Sequence, residues 1–170
     1  MKGLLENDIL DDEELDMGSV NHSAAQTQIT GLLFNDERFT TFIELSLDAS
    51  QIDLSQFEMK SKNELIPDIS VYEEIPPKPD PLDDILRVSQ IPNLAIEVLF
   101  PRQTISEILG KFKAYFALGV KSCWLVVPAL KTVTVYSKEH FKTFDVNDTE
   151  FFDEVMDIRL PIQQIFRIGK

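Results

Sequence analysis

The feature that most constrains the fold is a run of eight residues, 93–100 (NLAIEVLF), in which Glu97 is the only ionisable side chain. A run this short and this apolar is typical of a central β-strand that is covered on both faces. Apolar residues then recur at helical spacing, at Ile105, Ile108, Leu109, Phe112 and Phe116. Gly119 follows where a left-handed C-terminal cap is expected. The two segments predict a buried strand followed by a helix that packs against the sheet.

Shorter segments on either side of this unit predict further strands and helices. The sequence SVNHSAAQTQITGLLF indicates a helix that Ser19 or Asn21 caps. Residue types and alternation predict strands at 39–47, 67–72, 123–127, 132–136 and 140–144, and a terminal helix at 161–166. Residues 51–61 are ambiguous, with another strand expected around 56–60. Four prolines make residues 75–84 a connecting loop.

The order of these elements predicts an α/β (α+β) fold, in which helices flank a mixed β-sheet. With 170 residues, 44% of them hydrophobic, we expect a single domain over residues 19–170, preceded by a loosely ordered acidic segment at 1–18. No apolar run approaches the ~20 residues that span a bilayer, so we expect a soluble, cytoplasmic protein without a membrane partner. The lone Cys123 excludes an intramolecular disulfide, and one cysteine with two histidines excludes a structural zinc site of the usual kind.

The net charge of −13 is unfavourable for binding nucleic acid, because phosphates attract lysine and arginine. The charge is unevenly distributed, however. Residues 1–100 hold 6 basic and 21 acidic side chains, whereas residues 101–170 hold 10 basic and 8 acidic ones. Within 102–142 there are seven basic residues against two acidic ones. This region either forms a basic face or is simply the solvated surface of an acidic protein.

Glu97 is the first candidate for chemistry, because an unpaired carboxylate inside a protein costs several kcal/mol. It must be paired with a cation, protonated, hydrogen-bonded or bound to a metal. Asp68, at the start of a predicted strand, is the second candidate, although strand-end aspartates often serve only in turns. Two carboxylates from neighbouring strands, with an ammonium nearby, are the minimal set for holding an ion of the Mg²⁺ class.

The ammonium is expected from the helix after Glu97. Lys111 and Lys113 flank its apolar stripe on opposite sides, and helical geometry does not choose between them. Glu107 lies one turn before Lys111 and would pair with it in a purely structural arrangement. Either lysine could also be solvated surface.

Taken in order, these segments resemble a known family. The residues are Pro67-Asp68-Ile69-Ser70-Val71, then 94–101 (LAIEVLFP), then Lys111, Tyr115 and Gly119-Val120, then 124–128 (WLVVP). This order is similar to the Uma-type restriction endonuclease family, which is numerous in cyanobacteria and belongs to the PD-(D/E)XK nuclease superfamily. The resemblance covers roughly residues 19–166. It implies a restriction endonuclease-like core.

The resemblance also implies roles for individual residues. Asp68 matches the aspartate of the family's PD motif and Glu97 the acidic residue of its (D/E)XK element, both expected to bind Mg²⁺ or Mn²⁺. The superfamily's lysine would fall at Leu99, which cannot serve, and Lys111 stands where Uma-type members supply it from the following helix. Glu107 stands where the family often has aspartate. His22 matches a common family histidine that could contact the metal-bound water or phosphate, and a surface histidine at a helix end is the alternative.

Two departures from the family pattern affect these implications. Phe100 replaces the usual serine of E-V-L-S-P, and Val127-Pro128 replaces the common Asp-Pro. The resemblance therefore supports a metal-dependent endonuclease acting on nucleic acid, DNA above all. The alternatives are a binding or regulatory module that has lost cleavage, or a hydrolase of another phosphate ester. For the nuclease, Arg102, Lys113 and Lys121 are the expected nucleic-acid contacts. We hypothesise a homodimer through residues 132–136 or through the helix that ends at Gly119.

Overall fold

A computed structural model describes residues 18–60 and 63–169 of the chain. The loosely ordered segment predicted for residues 1–18 therefore lies, apart from Gly18, outside the described residues. Within them, the structure contains a central sheet with helices on both faces. This confirms the predicted α+β fold with a mixed sheet.

The central sheet has six strands in the spatial order β1-β4-β5-β6-β7-β8. Strand β5 pairs in parallel with β6, and the other neighbours pair antiparallel. Every residue of β5 is buried, as its apolar sequence predicts. The strands are β1 Thr40–Ile43, β4 Ile69–Tyr72, β5 Leu94–Val98, β6 Ser122–Val127, β7 Thr132–Tyr136 and β8 Phe141–Phe144.

Two long helices cover opposite faces of this sheet. Helix α1, Val20–Phe34, begins after Ser19, whose hydroxyl accepts a hydrogen bond from the His22 backbone N–H. Helix α2, Ile105–Leu118, makes the crossover from β5 to β6 and ends at Gly119, which has a φ of 107°. Both caps were predicted from the sequence. Helix α1 packs on the sheet face that carries Ile96, and α2 packs on the opposite face.

Several segments differ from their predictions. The strand predicted at 39–47 is broken into β1 and the short β2, Leu47–Asp48, because Glu44 adopts a left-handed conformation with a φ of 52°. Strand β2 pairs with β3, Glu64–Leu65. The strand expected around 56–60 is wrong: a 3₁₀ turn, Leu54–Phe57, begins there because the Asp53 side chain caps it.

The C-terminal part contains a hairpin that the sequence patterns did not indicate. It consists of β9, Glu150–Asp153, and β10, Ile158–Pro161, followed by the single turn α3, Ile162–Ile165. The buried carboxylate of Asp153 joins this hairpin to β6, since its Oδ2 accepts hydrogen bonds from Ser122 Oγ at 2.5 Å and Trp124 Nε1 at 2.8 Å. The hairpin thereby closes the sheet face on which α1 lies.

The sheet topology bears on the hypothesised dimer interface. Residues 132–136, hypothesised as an exposed dimer interface, form β7, and this strand is hydrogen-bonded on both sides, to β6 and to β8. The edge strand on this side of the sheet is β8, and β1 forms the opposite edge. In the part of the chain that the structure describes, no helix is long and apolar enough to cross a membrane.

Candidate active site

The pairing of β4 with β5 places the two candidate carboxylates side by side. Ile69 pairs with Ile96 in this antiparallel ladder, so Asp68, immediately before β4, lies opposite Glu97. Side chains of directly opposed residues emerge on the same sheet face, about 5 Å apart at Cβ. The two carboxyl groups are close enough that Asp68 raises the pKa of Glu97. The structure therefore brings together two acids that are 29 residues apart in the sequence.

Asp68 is held at both its backbone and its side chain. Its carbonyl oxygen accepts hydrogen bonds from Gln26 Nε2 at 2.9 Å and from the Glu44 N–H at 3.1 Å. Its side-chain Oδ2 accepts a hydrogen bond from the Val98 N–H at 2.7 Å. The Glu44 N–H continues the antiparallel register of β1 with β4, in which Ile43 pairs with Ile69, so the edge of the sheet also fixes the backbone of Asp68.

His22 is buried beside Asp68, with only 1% of its surface exposed. Its Nε2 lies 3.2 Å from Asp68 Oδ2. Its ring is stacked on that of Phe100, with centroids 3.9 Å apart. The alternative of a surface histidine at a helix end is therefore wrong, because Phe100 and the sheet cover the ring. Phe100, which departs from the family pattern, packs directly against a residue that contacts the site.

Glu97 is 2% exposed and has a separate partner at each carboxyl oxygen. The Tyr115 hydroxyl donates a hydrogen bond to Oε1 at 2.6 Å. The Lys111 ammonium lies 3.9 Å from Oε2. Tyr115 and Lys111 are four residues apart on α2, so one helix face presents both groups to β5. Sequence reasoning treated Tyr115 only as a motif residue. Its spacing from Lys111 was the available signal for its place in the site.

If both were ionised, Asp68 and Glu97 would carry two negative charges against the single positive charge of the Lys111 ammonium. The pKa of Glu97 is raised to about 8, chiefly by burial and also by the neighbouring Asp68, while Lys111 and the Tyr115 hydroxyl act to lower it. Burial and the nearby Glu97 also raise the pKa of Tyr115 well above its ordinary value, so its hydroxyl keeps its proton and remains a donor. A carboxyl pair in this environment is stabilised by additional positive charge.

The remaining candidate residues lie outside this buried cluster. Lys113 is exposed on α2, so the fold selects Lys111 as the lysine beside Glu97. Glu107 is exposed in the first turn of α2, where its backbone N–H donates to the Thr104 side chain. Arg102 and Lys121 are exposed at the two ends of that helix. Lys111 forms an ion pair with Glu97 rather than the expected structural pair with Glu107.

Comparison with known proteins identifies the class to which the fold and the carboxylate pair belong. The model of the Uma2 family, described as "Putative restriction endonuclease", matches residues 10–163. The chain therefore belongs to this family. No match is found among curated proteins.

Solved structures with a similar fold exist. One of them is a protein of Anabaena variabilis described as a "putative nuclease belonging to DUF820", and it is 23% identical. The match has a TM-score of 0.67 and covers 88% of this chain and 82% of that protein. At this identity the similarity establishes the fold, and the argument for function depends on the site itself.

Proposed function

We propose that this protein is a metal-dependent nuclease that hydrolyses phosphodiester bonds of nucleic acid, with DNA as the preferred substrate. The observation that carries the proposal is the facing pair Asp68 and Glu97 with the Lys111 ammonium beside it. Membership in the Uma2 family supports the same reaction class. Burying the Glu97 carboxyl beside a second acid costs stability, so the presence of this pair favours a chemical role.

The two carboxylates fit a divalent cation. Hard oxygen donors are the ligands of Mg²⁺ and Mn²⁺, and Mg²⁺ typically takes one or two carboxylates and completes its shell with water and substrate. Among residues 18–60 and 63–169, no group of three or more His, Cys, Asp or Glu side chains is arranged for a metal. Asp68 and Glu97 would therefore hold the ion as a pair. When bound, the ion supplies positive charge that polarises a phosphoryl oxygen and makes water a better nucleophile.

The protein's own groups then perform distinct tasks. The Val98 N–H and His22 fix Asp68 Oδ2, which keeps this carboxylate oriented. The Lys111 ammonium lies where it can stabilise negative charge that develops on the phosphate, and the burial around it strengthens this interaction. A water gives up one proton to solvent as its oxygen forms the new bond to phosphorus, the bond to the 3′-oxygen breaks, and the product carries a 5′-phosphate. The leaving oxygen takes up a proton from solvent.

Contacts to the nucleic acid backbone are proposed for Arg102, Lys113 and Lys121. Lys113 is on α2 and the other two lie at its ends, so the three cations follow the helix that carries Lys111. Because the whole chain has a net charge of −13, binding must depend on this local patch and on the ion. A homodimer would present two such patches to one duplex. We place the protein in the cytoplasm, where its substrate is available.

A second candidate function is a nuclease-fold module that binds nucleic acid or a divalent ion without cleaving. One observation favours it: Phe100 replaces the family's serine and its ring covers His22. This change leaves Asp68, Glu97 and Lys111 in place, so it predicts altered efficiency more than a lost site.

The decisive experiment incubates the protein with supercoiled plasmid, single-stranded DNA or RNA, in the presence of Mg²⁺, Mn²⁺ or EDTA. We expect cleavage that requires the metal and is lost in Asp68→Asn, Glu97→Gln and Lys111→Met. Matched controls are Asp148→Asn and Lys138→Met, which change exposed residues of the same types. Metal binding without cleavage would support the non-cleaving module, and cleavage that survives Glu97→Gln would refute the proposed site.

A further inference from the structure

The Tyr115 hydroxyl has a specific place in this site. Tyr115 is fully buried on α2, one helical turn after Lys111. Its hydroxyl donates to Glu97 Oε1 at 2.6 Å, while the Lys111 ammonium lies 3.9 Å from the other oxygen, Oε2. The two oxygens of one carboxylate are therefore distinguished by two groups from a single helix face.

We propose that Tyr115 is a positioning residue for the metal site, which holds Glu97 Oε1 so that Oε2 is presented to the divalent ion. This inference rests on the proposed function and concerns how its metal site is oriented. A carboxylate with one oxygen engaged by a short hydrogen bond cannot rotate freely about its last bond. The Glu97 carboxylate is then already oriented before the ion binds, which lowers the entropic cost of metal binding.

The geometry also explains why a hydroxyl is present at this position. Phenylalanine would fill nearly the same volume but would leave Oε1 of a buried acid without a donor, and a buried acceptor without a partner is costly. The Tyr115 hydroxyl, which donates to Glu97 Oε1 at 2.6 Å, supplies the partner that this buried acceptor requires. Loss of such an outer partner typically weakens metal binding ~10–100-fold.

Tyr72 offers a matched control within the same molecule. It is also fully buried, and its hydroxyl donates to the Gln90 carbonyl oxygen at 2.9 Å, on a backbone segment outside the site. Tyr115→Phe and Tyr72→Phe therefore remove the same atom from equally buried positions. Only Tyr115→Phe removes a hydroxyl that donates to a carboxylate of the site.

The test measures Mn²⁺ affinity by calorimetry on the full chain, together with the near-ultraviolet difference spectrum that Mn²⁺ induces. We expect Tyr115→Phe to bind Mn²⁺ about 10–100-fold more weakly, while Tyr72→Phe binds as the wild type does. The wild type and Tyr72→Phe should show a tyrosine difference signal on binding, because the ion withdraws charge from the acceptor of the Tyr115 hydroxyl. Tyr115→Phe should lack this signal.

The possible outcomes distinguish a failure of the proposed function from a failure of the role proposed for Tyr115. If the wild type binds no Mn²⁺, both the proposed function and this inference fail. If the wild type binds Mn²⁺ but Tyr115→Phe binds it equally well, only the inference is refuted. Weaker binding by both variants would also refute it, since the effect would then come from packing. Thermal unfolding of each metal-free variant verifies that it is folded.

Discussion

Replacing Glu97 with glutamine should make the metal-free protein more stable at alkaline pH. The pKa of Glu97 is raised from 4.5 to about 8 in the folded protein, chiefly by burial. Between these two values the folded state retains a proton that the unfolded state releases. The free energy of unfolding of the wild type therefore falls as pH rises through this window, and it is highest, as far as this group is concerned, below about 4.5.

The size of this pH-dependent loss of stability follows from the difference between the two pKa values of Glu97. Each pH unit between the two pKa values is worth about 1.4 kcal/mol, so the full span of about 3.5 units sets an upper limit of about 5 kcal/mol. Glutamine carries no charge at any pH and can still accept the Tyr115 hydrogen bond. It loses the attraction of Lys111, which costs about 1–2 kcal/mol. At pH 8 to 9 we expect Glu97→Gln to be about 2–4 kcal/mol more stable than the wild type.

The assay is urea unfolding in EDTA at pH 5 and pH 8.5, analysed by linear extrapolation. The free energy of unfolding of Glu97→Gln should exceed that of the wild type by an amount that increases as pH rises. Added Mg²⁺ should narrow this difference, because ligand binding stabilises only the protein that binds. Glu150→Gln is the control: it removes an exposed carboxylate paired with Arg159 and should change stability by less than about 1 kcal/mol at either pH. A gap that stays constant with pH would refute the reasoning.

Three other perturbations test separate parts of the structure. Asp153→Ala should lower the free energy of unfolding by about 3 kcal/mol or more, since it leaves buried donors on β6 without their acceptor. Chemical denaturation measures this free energy, and a decrease of less than about 1 kcal/mol would contradict the prediction. Gly119→Ala should cost about 1–2 kcal/mol because alanine is strained at a φ of 107°, although nothing lies within 4 Å of the added carbon; an unchanged melting temperature would show otherwise. Phe100→Ser should speed the modification of His22 by diethylpyrocarbonate, because it removes the ring that is stacked on this histidine. Peptide mass spectrometry measures the rate, with the exposed His140 as internal reference. Equal rates in the wild type and the variant would show that the Phe100 ring does not shield His22.

Local sequence signals predicted most of the central sheet and both long helices. The apolar run around Glu97, the stripe on α2 and the caps at Ser19 and Gly119 depend on residues within one or two turns of each other. Such patterns are readable because they reflect the periodicity of a single element. The hairpin of β9 and β10 was missed since both strands are short and β9 begins and ends with an acidic residue. One of these acids, Asp153, points inward to partners on β6.

The sequence by itself determined that Glu97 would be a buried acid and that a lysine would lie on the following helix, because both follow from local periodicity. Only the tertiary structure decided which groups meet it. The register of β4 against β5 places Asp68 opposite Glu97, and the orientation of α2 on the sheet selects Lys111 over Lys113 and adds the Tyr115 hydroxyl. The packing of α1 buries His22 against Asp68. These contacts join residues that are 14 to 46 positions apart in the sequence. Packing and strand pairing bring them together, and no local sequence pattern encodes either of these.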